Sequence, residues 1–283
     1  MANLAEVLPG ADERVKPGSS SARVLDYLRT MERRELPKAL AMQAPGFRMQ
    51  FPGGQDFTTL EQLFAYGAPR QKSARKIFEG FDETTDGRVV FAFGTLYGER
   101  VDGTPFRDVR FVDRFALAPD GRFTDQTVYN DMGVEGFGPG THPIAPPPPG
   151  VCNDASAEGT ASRTVLKYLR AMEQGRYDEA KAMFAPGFWM LFPGNARFTT
   201  VEDVLAGMAK RGTYAIKTFY RFDECPTDQG IAVFAQGTVA ATLNNGSAYK
   251  DVRFVDRITV RDGKLVDQRV WNDRGEHKES SGR

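Results

Sequence analysis

Hydrophobic positions recur along this chain at two spacings. Val24, Leu25, Tyr27, Leu28 and Met31 share one stripe of a 3.6-residue period after a serine-rich stretch, which predicts a helix over 22–33. A second short helix is predicted over about 36–43. The period then falls to two. F-R-M-Q-F at 47–51 alternates as a strand and stops at Pro52-Gly53. Thr58-Thr59-Leu60-Glu61 predicts a capping box opening a third helix, and that role accounts for Glu61 and its later counterpart Glu202. Four strands are expected next, roughly 76–83, 88–98, 105–117 and 122–130, separated by Asp86-Gly87, Asp102-Gly103 and Asp120-Gly121. Helices first and a long antiparallel meander afterwards is an α+β order, with the helices expected on one face of a curved sheet.

The same pattern then runs a second time. DVRFVDR at 108–114 returns at 251–257, an offset of 143 (251 − 108). VLDYLRTME at 24–32 matches VLKYLRAME at 165–173, and APGFRMQFPG at 44–53 matches APGFWMLFPG at 185–194. VFAFGT at 90–95 answers VFAQGT at 233–238, and DQTVYND at 125–131 answers DQRVWND at 267–273. A whole domain is therefore duplicated in tandem, with the small drift in offset absorbed in loops. The expected organisation is an N-terminal extension over 1–19, a first domain over 20–132, a Pro/Gly-rich linker over 133–160, a second domain over 161–274 and a tail over 275–283. The proline run in the linker favours a semi-rigid extended spacer.

Composition narrows the chemistry. Lys+Arg and Asp+Glu each total 37, so no net charge draws the chain to nucleic acid or to an anionic membrane. The two cysteines, Cys152 in the linker and Cys225 in an expected hairpin turn, form neither a disulfide framework nor a metal site. The two histidines, His142 and His277, fall in the linker and the tail, so catalysis within either domain is expected without histidine, metal or cofactor. The first 18 or so residues lack an apolar signal core, and no window reaches the ~20 apolar residues of a membrane span. A cytoplasmic setting is the expectation.

Strand parity picks out the chemistry. In the first copy Val109, Phe111, Asp113, Phe115 and Leu117 share one face, and Asp108, Arg110, Val112 and Arg114 share the other. The second copy repeats this with Asp256 among Val252, Phe254, Ile258 and Val260. Asp113 and Asp256 are thus carboxyls set in apolar faces, where burial raises the pKa. The Arg-bearing faces are expected to meet solvent or ion partners. Tyr27 and Tyr168 interrupt the aliphatic stripe of the first helix of each copy. Asp131 and Asp273, at the end of the last strand beside Tyr129 and Trp271, are further acid/base candidates, although parity leaves open which face of that strand points inward.

The order helix, helix, strand, helix, long meander resembles the NTF2-like superfamily, specifically its SnoaL-like members, and DGKLVDQRVWND at 262–273 resembles their last-strand pattern. The resemblance covers both copies and implies two cone-shaped α+β domains, each a curved antiparallel sheet over N-terminal helices. Tyr27 with Asp113 and Tyr168 with Asp256 are similar in placement to the oxyanion-holding pair of ketosteroid isomerases. That family's base position is Phe51 or Phe192 here, which accepts no proton. Such units often pair, so an intramolecular pseudo-dimer, open to further self-association, is the expected arrangement.

These features support a cofactor-independent acid/base enzyme (isomerase, cyclase, lyase or dehydratase) acting on a hydrophobic aromatic or polyketide-like small molecule. The alternative is a non-catalytic binding or pseudo-dimeric interaction module of the same fold. The expected catalytic groups are Tyr27, Asp113, Asp131, Tyr168, Asp256 and Asp273. The expected lining is Phe51, Phe93 and Phe111 in the first copy and Trp189, Phe192, Gln236, Phe254 and Trp271 in the second. Trp189, Trp271 and Gln236 favour the second copy as the working one.

Overall fold

The computed structural model describes residues 15–137 and 154–276, apart from 211, 245 and 247. The proline run, Cys152, His142 and His277 lie outside the described residues. The chain divides into two compact units, one of Met1–Gln50 with Asp56–Val128, the other of Phe51–Gln55 with Tyr129–Arg283.

In the first repeat, helices α1 (Ser20–Glu32) and α2 (Leu36–Ala41) precede strands β1 (Gln43–Phe51) and β2 (Gln55–Phe57) and helix α3 (Leu60–Gly67). The meander β3 (Gln71–Glu83), β4 (Val89–Arg100), β5 (Pro105–Leu117) and β6 (Phe123–Asn130) follows. The second repeat has the same order: α4 (Thr160–Glu173), α5 (Tyr177–Ala182), β7 (Phe184–Phe192), β8 (Ala196–Phe198) and α6 (Val201–Ala209). Its meander is β9 (Gly212–Thr227), β10 (Gly230–Leu243), β11 (Ala248–Arg261) and β12 (Lys264–Asn272). Each repeat has its own six-stranded sheet, ordered β2-β1-β6-β5-β4-β3 and β8-β7-β12-β11-β10-β9.

The sheets are mixed rather than wholly antiparallel. β1 runs parallel to β6 and β7 parallel to β12, because the chain leaves the first strand, forms a helix and four strands, and returns beside it in the same direction. The meander hairpins are antiparallel, as their short turns require. α1 packs on β3 and β4, and α4 on β9, β10 and β11, so both repeats place these helices over the meander. Val24, Tyr27 and Leu28 of α1 are buried there, with the Tyr27 ring against Phe115 and Phe123.

Two local expectations are corrected. The capping box opening α3 is Thr59 with Gln62, one residue later than predicted: the Thr59 hydroxyl accepts from Gln62 N–H, and the Gln62 amide oxygen accepts from Thr59 N–H. Glu61 is therefore no box member, and Glu202 pairs instead with Lys181 at 2.9 Å. Cys225 lies within β9, buried opposite Ala232, because that strand continues to Thr227 before turning.

The repeated DVRFVDR is shaped by packing on both sides. Asp108 and Asp251 have φ of 62° and 59°, a left-handed conformation that aspartate tolerates better than branched residues do. Beyond them, Arg110, Val112 and Arg114 are buried, as are Phe111 and Phe115, so of the solvent or ion partners expected for that face it is ion partners that it meets. Arg114 pairs with Asp125 at 3.0 Å and Arg257 with Asp267 at 3.3 Å, which neutralises charge on that face.

The glycine of F-G-T and Q-G-T has a steric cause. A Cβ on Gly94 would lie 2.0 Å from the Ile77 carbonyl oxygen, and one on Gly237 would lie 2.0 Å from that of Thr218. Both close approaches border register shifts in the β3–β4 and β9–β10 pairs. Ile77 and Thr218 directly follow Lys76 and Lys217, so these glycines help set where two lysines stand on the sheet.

Candidate functional site

Asp113 and Asp256 are fully buried, as their apolar faces predict. Neither is alone. Lys76 Nζ, reaching in from the edge strand β3, lies 2.9 Å from Asp113 Oδ2, and Gln126 Nε2 donates to the same oxygen at 3.3 Å. In the second repeat Lys217 Nζ donates to Asp256 Oδ2, and Gln268 Nε2 donates at 3.4 Å. Each ammonium also stands over an aromatic face, Lys76 at 3.6 Å from the Phe111 centroid and Lys217 at 4.3 Å from that of Phe254. The remaining oxygen, Oδ1, has no hydrogen-bond partner in either aspartate.

Burial pushes both carboxyls above the usual carboxylate range, and the ammonium and amide donors oppose that rise. The lysine side chains remain 17% and 23% exposed, so each pair links the interior to water. Burial also raises the two phenols. Tyr27 is pushed up to about 12, with its bond to Gln43 pulling the other way, and Tyr168 is raised further, with Asp256 adding to the effect.

The tyrosines differ in what they bond. Tyr168 donates to Gln268 Oε1 at 2.7 Å, so the phenol reaches Asp256 through the Gln268 amide. Tyr27 instead accepts from Gln43 Nε2 at 3.0 Å. Position 184, the counterpart of 43, is a phenylalanine, which offers Tyr168 only an edge-to-face contact at 5.7 Å. The sequence placed Tyr and Asp together but missed the amides between them and the lysines beside them. A signal was present: K-x-F-x-x-F-D-E occurs at 76–83 and again at 217–224.

The other expected site residues fall into two groups. Residues opposed across a sheet share a face, so Gln236 and Trp271, both opposite Val255, project away from the face that carries Asp256. Trp189 belongs to that same far face, opposite Asp267, with Arg197 and Arg269 stacked over it. Phe93, opposite Val112, likewise lies on the face away from Asp113. These four do not line the carboxyl side. Gln236 donates to Asp223 at 2.9 Å in the far layer. Phe254 and Phe192 do belong with Tyr168 in one apolar cluster, and Phe111 shares the face of Asp113.

Asp131 and Asp273 are buried and held by protein donors within the second unit. Asp273 Oδ2 accepts from Arg253 Nε at 2.7 Å and from Gly53 N–H at 3.0 Å, and Asp131 Oδ2 accepts from Gly194 N–H at 3.0 Å. Arg253 rises from the face opposite Asp256, so the last-strand acids do not join the Tyr–Gln–Asp–Lys group. Burial raises the Asp273 carboxyl, with the Arg253 guanidinium opposing.

A cleft of about 410 Å³ opens on the first unit, lined by Leu40, Gln43, Ala44, Pro45, Gly46, Phe47, Thr58 and Arg122. Its volume lies within the range of small-molecule sites, ~300–1,000 Å³. Among the described residues no group of three or more His, Cys, Asp and Glu side chains suited to a metal ion occurs, and no helix is long and apolar enough to cross a membrane.

Comparison with known proteins gives a match between residues 165–268 and the family model of the SnoaL-like domain. No curated protein matches the chain. Among solved structures, an NTF2-like protein of unknown function from Burkholderia pseudomallei is 17% identical, covering 38% of this chain and 86% of its own, with a TM-score of 0.33. A provisionally named SnoaL-like polyketide cyclase from Jannaschia is 19% identical over 39% of this chain and 83% of its own, with a TM-score of 0.33. A provisionally named hydroxylase from Streptomyces galilaeus is 15% identical over 41% and 83%, also at 0.33.

Proposed function

From two repeats of NTF2-like, SnoaL-like fold, we propose that this chain is a cofactor-independent acid/base enzyme acting on a hydrophobic, carbonyl-bearing small molecule of aromatic or polyketide-like type. The observation that carries the reading is the buried aspartate of each repeat, Asp113 or Asp256. One of its oxygens is held by a lysine and a glutamine, and the other has no partner. Such a carboxylate has one oxygen fixed and one left to take a proton.

The chemistry follows from that arrangement. Oδ1 takes a proton from the carbon next to the substrate carbonyl. The C–H electron pair moves into the new C=C bond and the carbonyl π pair onto oxygen. The neighbouring ammonium and phenol stabilise the enolate. Return of the proton to the same carbon gives exchange, and in a β,γ-unsaturated ketone delivery of it to the γ-carbon shifts the double bond and completes an isomerisation. Directing the enolate onto a second carbonyl gives an aldol-type cyclisation, and loss of a β-hydroxyl gives dehydration. A donor aimed at developing negative charge inside an apolar site acts mainly in the transition state.

The second reading is a non-catalytic binder. Phe51 and Phe192 stand where a related base would be, and Asp131 and Asp273 each hold one oxygen, Oδ2, on protein donors away from the Tyr–Asp face. Deuterium wash-in separates the two. An α-tetralone panel in D2O, followed by proton NMR, should lose its α-proton signal faster with the protein than in buffer, and Asp113→Asn/Asp256→Asn together should abolish the gain. Bound ketones that exchange only at the buffer rate would leave the binder.

A further inference from the structure

Resting on that reading, we propose that the two repeats have parted roles. The first repeat holds the small-molecule site, entered by the cleft at Gln43, and the second has closed the equivalent place with its own side chains.

Five of the eight residues lining the cleft, Ala44 to Phe47 and Thr58, recur unchanged in the second repeat, and the difference lies at the other three. Gln43 lines it in the first repeat, and its amide donates one hydrogen to the Tyr27 hydroxyl. That bond uses one of the amide's two N–H groups and leaves the carbonyl oxygen unspent. Phe184 stands in its place in the second repeat, stacked on Phe188 with centroids 3.8 Å apart and planes 18° apart. Leu40, 50% exposed at the rim, becomes Lys181, which is tied to Glu202 and Asp178. Arg122 becomes Lys264, whose ammonium donates to the Ala182 carbonyl at 2.7 Å. What is an open wall in one repeat is a stacked aromatic pair and two engaged lysines in the other.

The tyrosines agree with this division. Tyr168 spends its proton on Gln268. Tyr27 receives a hydrogen from Gln43, so its own proton remains available to an acceptor. An oxyanion donor needs that proton free, and only the first repeat's arrangement supplies it.

The lining also specifies the ligand class. Leu40, Ala44, Pro45 and Phe47 offer an apolar bed, and Gln43 offers one donor and one acceptor side by side. The single guanidinium of the wall, Arg122, is already paired with Asp120 at 2.7 Å, so the cleft presents little net charge. The geometry therefore points to an uncharged aromatic or alicyclic molecule with a carbonyl or amide head.

A fluorinated acetophenone, titrated into the full chain and followed by fluorine NMR with backbone amide shifts, tests this. Shifts concentrated at 43–47, and a Kd weakened about tenfold or more by Gln43→Phe, are the expected result. Leu40→Lys supplies a second arm should Gln43→Phe fold poorly, and is expected to weaken binding in the same direction. Shifts concentrated at 184–188, or an unchanged Kd in both folded variants, would overturn the division. Binding at Gln43 without any deuterium wash-in would remove the enzyme and keep the site, whereas wash-in that survives Gln43→Phe would do the opposite.

Discussion

Lys76 Nζ lies 2.9 Å from Asp113 Oδ2, joining a carboxyl with no solvent exposure to an ammonium that retains some. The second repeat holds the same pair in Lys217 and Asp256. A half-buried pair of this kind changes its balance with pH. Burial raises the folded-state pKa of Asp113 and Asp256 above the unfolded value near ~4. The stability linked to each raised carboxyl is fully present below pH ~4 and is lost as pH rises through its folded pKa. Asp113→Asn and Asp256→Asn should therefore flatten the decline of Tm from pH ~4 upward. Parallel Tm–pH curves for variant and parent would show that these carboxyls titrate alike in both states.

The lysine sets how far the pKa rises. Lys217→Met removes the principal group opposing burial, so the Asp256 carboxyl should titrate higher in the variant than in the parent. Carbon-13 NMR of the side-chain carboxyl measures this directly. An unmoved titration in Lys217→Met would place the ammonium out of contact with Asp256 in solution.

Gly237 tests the backbone that positions Lys217. A Cβ there would sit 2.0 Å from a carbonyl oxygen that cannot swing aside as a flexible side chain would. Gly237→Ala should cost about 1–3 kcal/mol, the usual range for forced overpacking, and lower Tm by several degrees. An unchanged Tm would mean that β9 and β10 separate there without penalty.

Much of this was legible in the sequence, and the limits have physical causes. The period switch from 3.6 to 2 marked the helices and strands, and the tandem repeat confirmed them, because each element had to fit twice. Parity put Asp113 and Asp256 on their apolar faces. For the arginine-bearing face it left solvent and ion partners both open; that face is covered, and Arg114, Arg253 and Arg257 are paired with Asp125, Asp273 and Asp267. Nor did it orient the last strand, where Gln126 and Gln268 turned out to carry the carboxyl contacts. Lys76 and Lys217 were missed because a lone lysine on an edge strand looks like an ordinary solvated charge. Only the pairing of β3 with β4 and of β4 with β5 brings it over Asp113.

The two tyrosines should respond to removal of the hydroxyl in opposite ways. Tyr168→Phe leaves Gln268 Oε1 buried without its donor, which should cost about 1–3 kcal/mol of stability. Tyr27→Phe leaves only the Gln43 amide, which lines an open cleft and can bond water instead, so its stability cost should be smaller. On function the order reverses. If the first repeat is the working one, Tyr27→Phe removes the free proton and should slow deuterium wash-in roughly 100- to 1,000-fold, the loss typical of one oxyanion donor, with ketone affinity nearly intact. Tyr168→Phe should change wash-in only through the amount of folded protein. Melting curves and exchange rates on the same two variants therefore give opposite rankings. Equal loss of rate in both would assign the chemistry to both repeats, and loss in Tyr168→Phe alone would move it to the second.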